Sequence, residues 1–135
     1  MARSAARQLF RASIVGVGGV LLLFACPVLA GVLDATWNAP TTNVGGTPLT
    51  NLKSYRVYFG TSKPPCLTSS FLPVPSTTSA PAPGTVVRFT LTGLITDAVY
   101  FVQVTALDAN GKESACSNLA SGIARPDPAS ATPRP

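Results

Sequence analysis

The chain has 135 residues, 46% hydrophobic and only 11% charged, with a net charge of +5, and that length holds one domain and not comfortably two. It contains no histidine, so the usual general base, the commonest metal ligand and the histidine-dependent serine and cysteine triads are excluded. The positive balance does not point to nucleic acid, because Arg3, Arg7 and Arg11 crowd the N-terminus while the other seven basic residues are scattered among five acidic ones.

In chain order, the three arginines precede an apolar run from Ile14 to Ala25, and Val28-Leu29-Ala30 supplies small residues where a signal peptidase reads. Residues 1–30 therefore read as a secretory signal cleaved after Ala30. Two other readings stay open. Ile14 to Leu33 is long enough to span a bilayer if retained as an anchor, and Leu23-Phe24-Ala25-Cys26 resembles a lipobox. All three send the rest of the chain out of the cytoplasm, to a secreted, periplasmic or cell-surface location, with a membrane link only through an uncleaved or lipidated N-terminus.

Gly31 to Trp37 reads as a strand stopped by Asn38-Ala39-Pro40, and Thr41 to Thr50 as a loop. Lys53 to Gly60 alternates, with Tyr55, Val57 and Phe59 on one side and Arg56 and Tyr58 on the other. Thr61 to Gly84 carries six prolines, which excludes a helix and leaves room only for a short edge strand around Phe71 to Val74. A loosely ordered passage is expected there. Thr85 to Leu91 alternates again, and Tyr100 to Leu107 reads as the central strand, entered through a turn at Gly93. Asn110-Gly111 is a strong hairpin signal, so Ser114 to Ile123 should pair antiparallel with that strand. Residues 125–135, with four prolines, read as a disordered tail. The candidate core is Trp37, Tyr55, Val57, Phe89, Leu91, Leu94, Tyr100, Val102 and Val104.

Once Cys26 leaves with the signal, Cys66 and Cys116 have only each other in an oxidising compartment, and a disulfide is expected. Two cysteines are too few for a structural zinc site. Asp108 and Glu113 face each other across the hairpin as solvated turn residues more readily than as a glycosidase dyad. Gly16-Val17-Gly18-Gly19 lies within the signal and opens no phosphate-binding helix. No catalytic residue, cofactor or metal is expected, and the chain reads as a non-enzyme.

Several stretches between Val32 and Ile123 resemble a fibronectin type III domain of the bacterial secreted type. They are Trp37 followed by Ala39-Pro40, the loop Thr42 to Leu49, Tyr55 to Ser62, Leu91-Thr92-Gly93-Leu94 with Tyr100 six residues later, and Asn110 to Ser114 leading to Ser117-Asn118. The resemblance implies an all-β, immunoglobulin-like sandwich over residues 31–124. It places Trp37 on strand B, Tyr55 to Phe59 on C, Val87 to Leu91 on E, Tyr100 to Leu107 on F and the last segment on G, with Tyr100 as a tyrosine corner. The proline and glycine usual in that corner are Thr96 and Asp97 here, and no Arg-Gly-Asp stands in the Ala109 to Glu113 loop. Cleavage after Ala30 leaves nothing to form strand A, so the edge of B calls for a completing strand from another chain or from the Pro-rich passage. On the same map Cys66 and Cys116 lie too far apart unless residues 61–84 fold over the sheet; otherwise they remain separate thiols.

Two functions follow as expectations. One is a non-catalytic module for protein interaction or spacing outside the cytoplasm, with contacts on the Asn43 to Leu49 and Ala109 to Glu113 loops. The alternative is a carbohydrate-associated module accessory to polysaccharide degradation, for which Tyr58, Phe101 and Phe71 are the outward aromatics, although Tyr58 and Phe101 read more readily as side chains covered by the Pro-rich passage. Tyr58, Phe101, Asn43 and Asn110 are the candidate binding surface, the partner being a protein or a glycan.

Overall fold

The computed structural model describes residues 30–68 and 70–130. The signal, anchor and lipobox readings of residues 1–29 and the last five residues of the expected tail lie outside this range. Among the described residues there is no α-helix, and none is long and apolar enough to cross a membrane. Seven strands form two antiparallel sheets: β1 (Gly31–Asn38), β2 (Leu52–Gly60), β3 (Phe71–Pro75), β4 (Val86–Leu94), β5 (Val99–Asp108), β6 (Ala120–Ile123) and β7 (Arg125–Pro126). One sheet has the order β4-β1-β7 and the other β3-β2-β5-β6. This is an immunoglobulin-like sandwich with B and E in one layer and C, F and G in the other, as the alternation of the long strands requires. β3 is the short edge strand that the proline-rich passage allows.

The core lies between the layers. Tyr55, Val57, Leu91, Leu94, Tyr100 and Val102 are buried, with Leu49, Leu52 and Ala124 closing the ends. Trp37, Phe89 and Val104 pack against this cluster but keep contact with solvent, because their margin of the sandwich is open beside β1. The tyrosine corner is formed: the Ile95 N–H donates to the Tyr100 hydroxyl at 3.0 Å.

In that corner Asp97 takes φ +66°, a left-handed conformation that penalises a Cβ, while its N–H donates to the Ala124 carbonyl at 2.8 Å. Glycine removes the steric penalty without losing the backbone bond. Asp97→Gly should therefore stabilise the fold by about 0.5 kcal/mol or slightly more. A chemical denaturation midpoint that falls instead would show that the Asp97 side chain outweighs its backbone strain.

Three expectations about the C-terminal third are corrected. The last strand is regular only over Ala120–Ile123, not from Ser114. Ser114 N–H donates to Ala106 and Ser117 N–H to Val104, so three steps on this segment oppose two on β5. That is a bulge, and the serine hydroxyls fill its gaps by accepting from the Ala106 and Val104 N–H groups, both at 2.9 Å. Secondly, the segment after Ile123 is not wholly a loose tail. Arg125 and Pro126 leave the β5 sheet and pair with Val32 and Gly31 of β1, and residues 128–130 form a 3₁₀ turn. Thirdly, the partner of the β1 edge at Gly31 and Val32 is this C-terminal segment and not the Pro-rich passage. Backbone pairing there overrides proline's poor strand propensity, since Pro126 sits at an edge where its missing N–H is tolerated.

Candidate functional site

Two surfaces hold the residues singled out in the sequence. The first is the outer face of the larger sheet. The register of β2 and β5 sets Arg56 beside Thr105, Tyr58 beside Gln103 and Gly60 beside Phe101, so these side chains form one outward row. That row is covered. Glu113, carried past the Asn110-Gly111 turn, accepts hydrogen bonds from Arg56 Nη1 at 2.7 Å, the Tyr58 hydroxyl at 2.7 Å and the Thr105 hydroxyl at 2.6 Å. Phe71 of β3 packs on Tyr58 and lies under the Arg56 guanidinium, 4.8 Å from ring centroid to Cζ.

Burial works to raise the Glu113 pKa, but the hydrogen bonds from Thr105 and Tyr58 and the charge of Arg56 outweigh it, and the carboxyl titrates below its ordinary range. The Tyr58 hydroxyl is pushed up, first by burial and then by its bond to Glu113. Tyr58 is only 3% exposed, so it cannot serve in the candidate binding surface. Alternation told which way the side chain points and could not show that Glu113 and Phe71 lie over it. Phe101 remains half-exposed, with the Lys63 ammonium 5.8 Å from its ring centre. The aromatic platform needed for stacking on a sugar ring is therefore not assembled from Tyr58 and Phe101.

Beside this row the Cys66–Cys116 disulfide is present, with Cα atoms 6.3 Å apart. The strand map required residues 61–84 to fold over the sheet instead of extending it; Phe71–Pro75 extends the sheet as β3, while residues 61–67 fold over it. The bulge in the Ser114–Ser117 segment displaces Cys116 toward them. Gln103 clasps the two sides, accepting from the Cys66 N–H at 3.3 Å and donating through Nε2 to the Ser117 carbonyl at 2.9 Å.

The second surface lies at the end of the sandwich where the loop after β1 meets the β5 turn. It is a cleft of about 490 Å³. Buried Leu49 and Leu52 form its floor, and Asn43, Val44, Asn110 and Lys112 stand on its rim. Asn43 is fixed by its Nδ2 donating to Thr47 Oγ1 at 3.0 Å and to the Pro48 carbonyl at 3.2 Å. Asp108 Oδ1 accepts from the N–H groups of Asn110 and Lys112 and holds the opposite loop. Thus the structure brings Asn43 and Asn110 to one place, away from Tyr58 and Phe101. Val44, 83% exposed at the loop tip, was not singled out in the sequence; an apolar residue between Asn43 and Gly45 in a polar loop was the available signal. No group of three or more potential metal ligands occurs among the described residues.

No protein-family model matches the chain, and no curated protein matches it. Among solved structures it is similar to the third fibronectin III domain of the human KIAA0343 protein, with 14% identity, a TM-score of 0.47, and coverage of 77% of this chain and 78% of that one. It is also similar to part of a β-1,2-glucanase from Parabacteroides distasonis, with 22% identity and a TM-score of 0.44, covering 71% of this chain but only 11% of the glucanase. The class of the molecule, an all-β immunoglobulin-like sandwich, rests on its own strand order and tyrosine corner.

Proposed function

We propose that this chain is a non-catalytic extracytoplasmic module that binds a protein partner through the cleft between the Asn43–Leu49 and Asp108–Ser114 segments. The observation that carries this reading is the combination of an apolar floor, an exposed valine at the rim and rigidly bonded polar loops around it. Apolar anchors in a polar ring are what protein interfaces use. No aromatic side chain lines this cleft, which favours a protein over a glycan as its occupant. A spacer role is less well supported, because Pro126 pairs with Gly31 at the start of β1. The domain's two ends thus lie side by side, and flanking segments would be held together instead of apart.

The experiment compares partner capture by the wild type with capture by Val44→Asp and Asn110→Ala, both surface changes that leave the core intact. Partners retained by the wild type and lost from Val44→Asp are the expected result. Saturable binding on a glycan array that is unaffected by either change would overturn the reading and restore the carbohydrate-associated alternative.

A further inference from the structure

A third surface, remote from the loop cleft, runs along β1. From Leu33 to Asn38 this strand is paired on one side with β4, residue for residue. On its other side β7 reaches only Gly31 and Val32, and among the described residues nothing pairs with the remainder. The direction of its backbone groups follows from the register. Ala39 N–H donates toward β4, to the Thr85 carbonyl at 2.8 Å. By the two-residue period of a strand, the N–H and C=O groups of Trp37, Ala35 and Leu33 face β4 as well. Those of Asp34, Thr36 and Asn38 therefore point out of the sheet edge.

They border a groove of about 490 Å³ between the two layers. Leu33, Ala35 and Trp37 line one wall, and Val102, Val104 and Leu119 line the other. A row of unpaired main-chain donors and acceptors beside an apolar slot is complementary to one kind of ligand, an extended peptide with apolar residues at alternate positions. Among the described residues no segment of this chain is placed to supply that peptide. At Gly31 and Val32 the edge is already held by Pro126 and Arg125. The last described residues follow β7 past Ala30, away from Asn38. Charge adds a further specification: Arg88 of β4 stands opposite Thr36, exposed and without an ion-pair partner among the described residues. It lies two strand spacings, about 10 Å, from a strand docked on β1, within reach of a carboxylate on that strand's outer face.

We propose that the β1 edge from Asp34 to Asn38 is a strand-acceptor groove for an extended segment of a partner polypeptide, apolar at alternate positions and acidic opposite Arg88. The proposal is independent of the loop cleft, which lies elsewhere on the sandwich.

Trp37 is the only tryptophan in the chain and lines the groove, so its fluorescence reports occupancy directly. The probe is a capped nonapeptide alternating threonine and valine, with glutamate at the central outward position, added to the protein purified from the compartment to which the cell delivers it. The expected result is a saturable blue shift of Trp37 emission, with hydrogen exchange at the Asp34, Thr36 and Asn38 amides slowed at least about tenfold. N-methylation of the peptide on its β1-facing nitrogens should abolish both effects, and Arg88→Glu should weaken binding roughly threefold or more. Absence of saturable binding, or equal binding of the N-methylated peptide, overturns the proposal. So does protection of the three amides before any peptide is added. Protection that survives dilution would mean that the chain covers its own edge, and protection lost on dilution would mean that a second copy does.

Discussion

Replacing Cys66 and Cys116 with serine should destabilise the protein by about 4 kcal/mol, the chain-entropy value for a loop of this length. The two cysteines are 50 residues apart in sequence, and the closed loop includes the proline-rich passage, whose strand pairing among the described residues is that of β3 with β2. For a domain near 100 residues such a loss lowers the melting temperature by roughly 15 °C or more. Each single replacement should cost nearly as much as the double one, since either removes the same cross-link. Amide exchange should accelerate first at residues 61–67 and 114–118, the two sides that the disulfide and Gln103 hold over β5. A loss below about 1 kcal/mol would mean that the Gln103 bonds and the burial of Pro65 and Cys66 hold this passage without the covalent link.

Glu113→Ala should produce the second-largest effect, a loss of about 2–4 kcal/mol. One carboxylate accepts from three donors on two strands. Of these, Thr105 is 1% exposed and Tyr58 3%, so neither hydroxyl has ready access to water once the acceptor is gone. Arg56, a third exposed, recovers hydration and contributes less. Tyr58→Phe should cost little in the Glu113→Ala background and distinctly more in the wild type, which a double-mutant cycle measures. The pH dependence has a definite sign. The folded-state pKa of Glu113 is lowered, so its stabilisation is fully present above the unfolded-state value and is lost as pH falls through the folded-state value. Between neutral pH and the ordinary glutamate range the difference between wild type and Glu113→Ala should stay constant, and it should shrink under stronger acid. A constant difference down to full protonation would mean that the carboxylate's charge is not what the cluster uses.

The two-layer arrangement was legible because it is written in alternation. Tyr55 and Val57, Phe89 and Leu91, Tyr100 and Val102 announce both the strands and their inward faces, and Leu94 with Tyr100 marks the corner. The Ser114–Ser117 segment was misread as strand because its pairing relies on serine hydroxyls, which have no periodic signature. β7 was missed because two residues, one of them proline, carry no pattern; only the unpaired start of β1 called for something at that place. Glu113 looked like a turn residue because its partners Arg56 and Tyr58 lie more than fifty positions away, and a charge pair at that separation cannot be read without the register. The disulfide was chemically predictable from the cysteine count, while the fold-back that permits it was not. The loop cleft lay between these cases: both loops could be named in advance, but their meeting and the exposure of Val44 required the three-dimensional course of the chain.

The pairing of β7 with the start of β1 also sets an order in which contacts can close. Val32 belongs to the first strand among the described residues, yet its partner Arg125 is among the last of them. Every other strand pair closes a shorter stretch of chain, whether β1 with β4, β2 with β3 or β5, or β5 with β6. A folding intermediate can therefore be a nearly complete sandwich whose β1 edge is still open along its full length. Closure of that edge at Gly31 and Val32, and with it the shortening of the open edge to Leu33–Asn38, should come last, because it spans the longest loop.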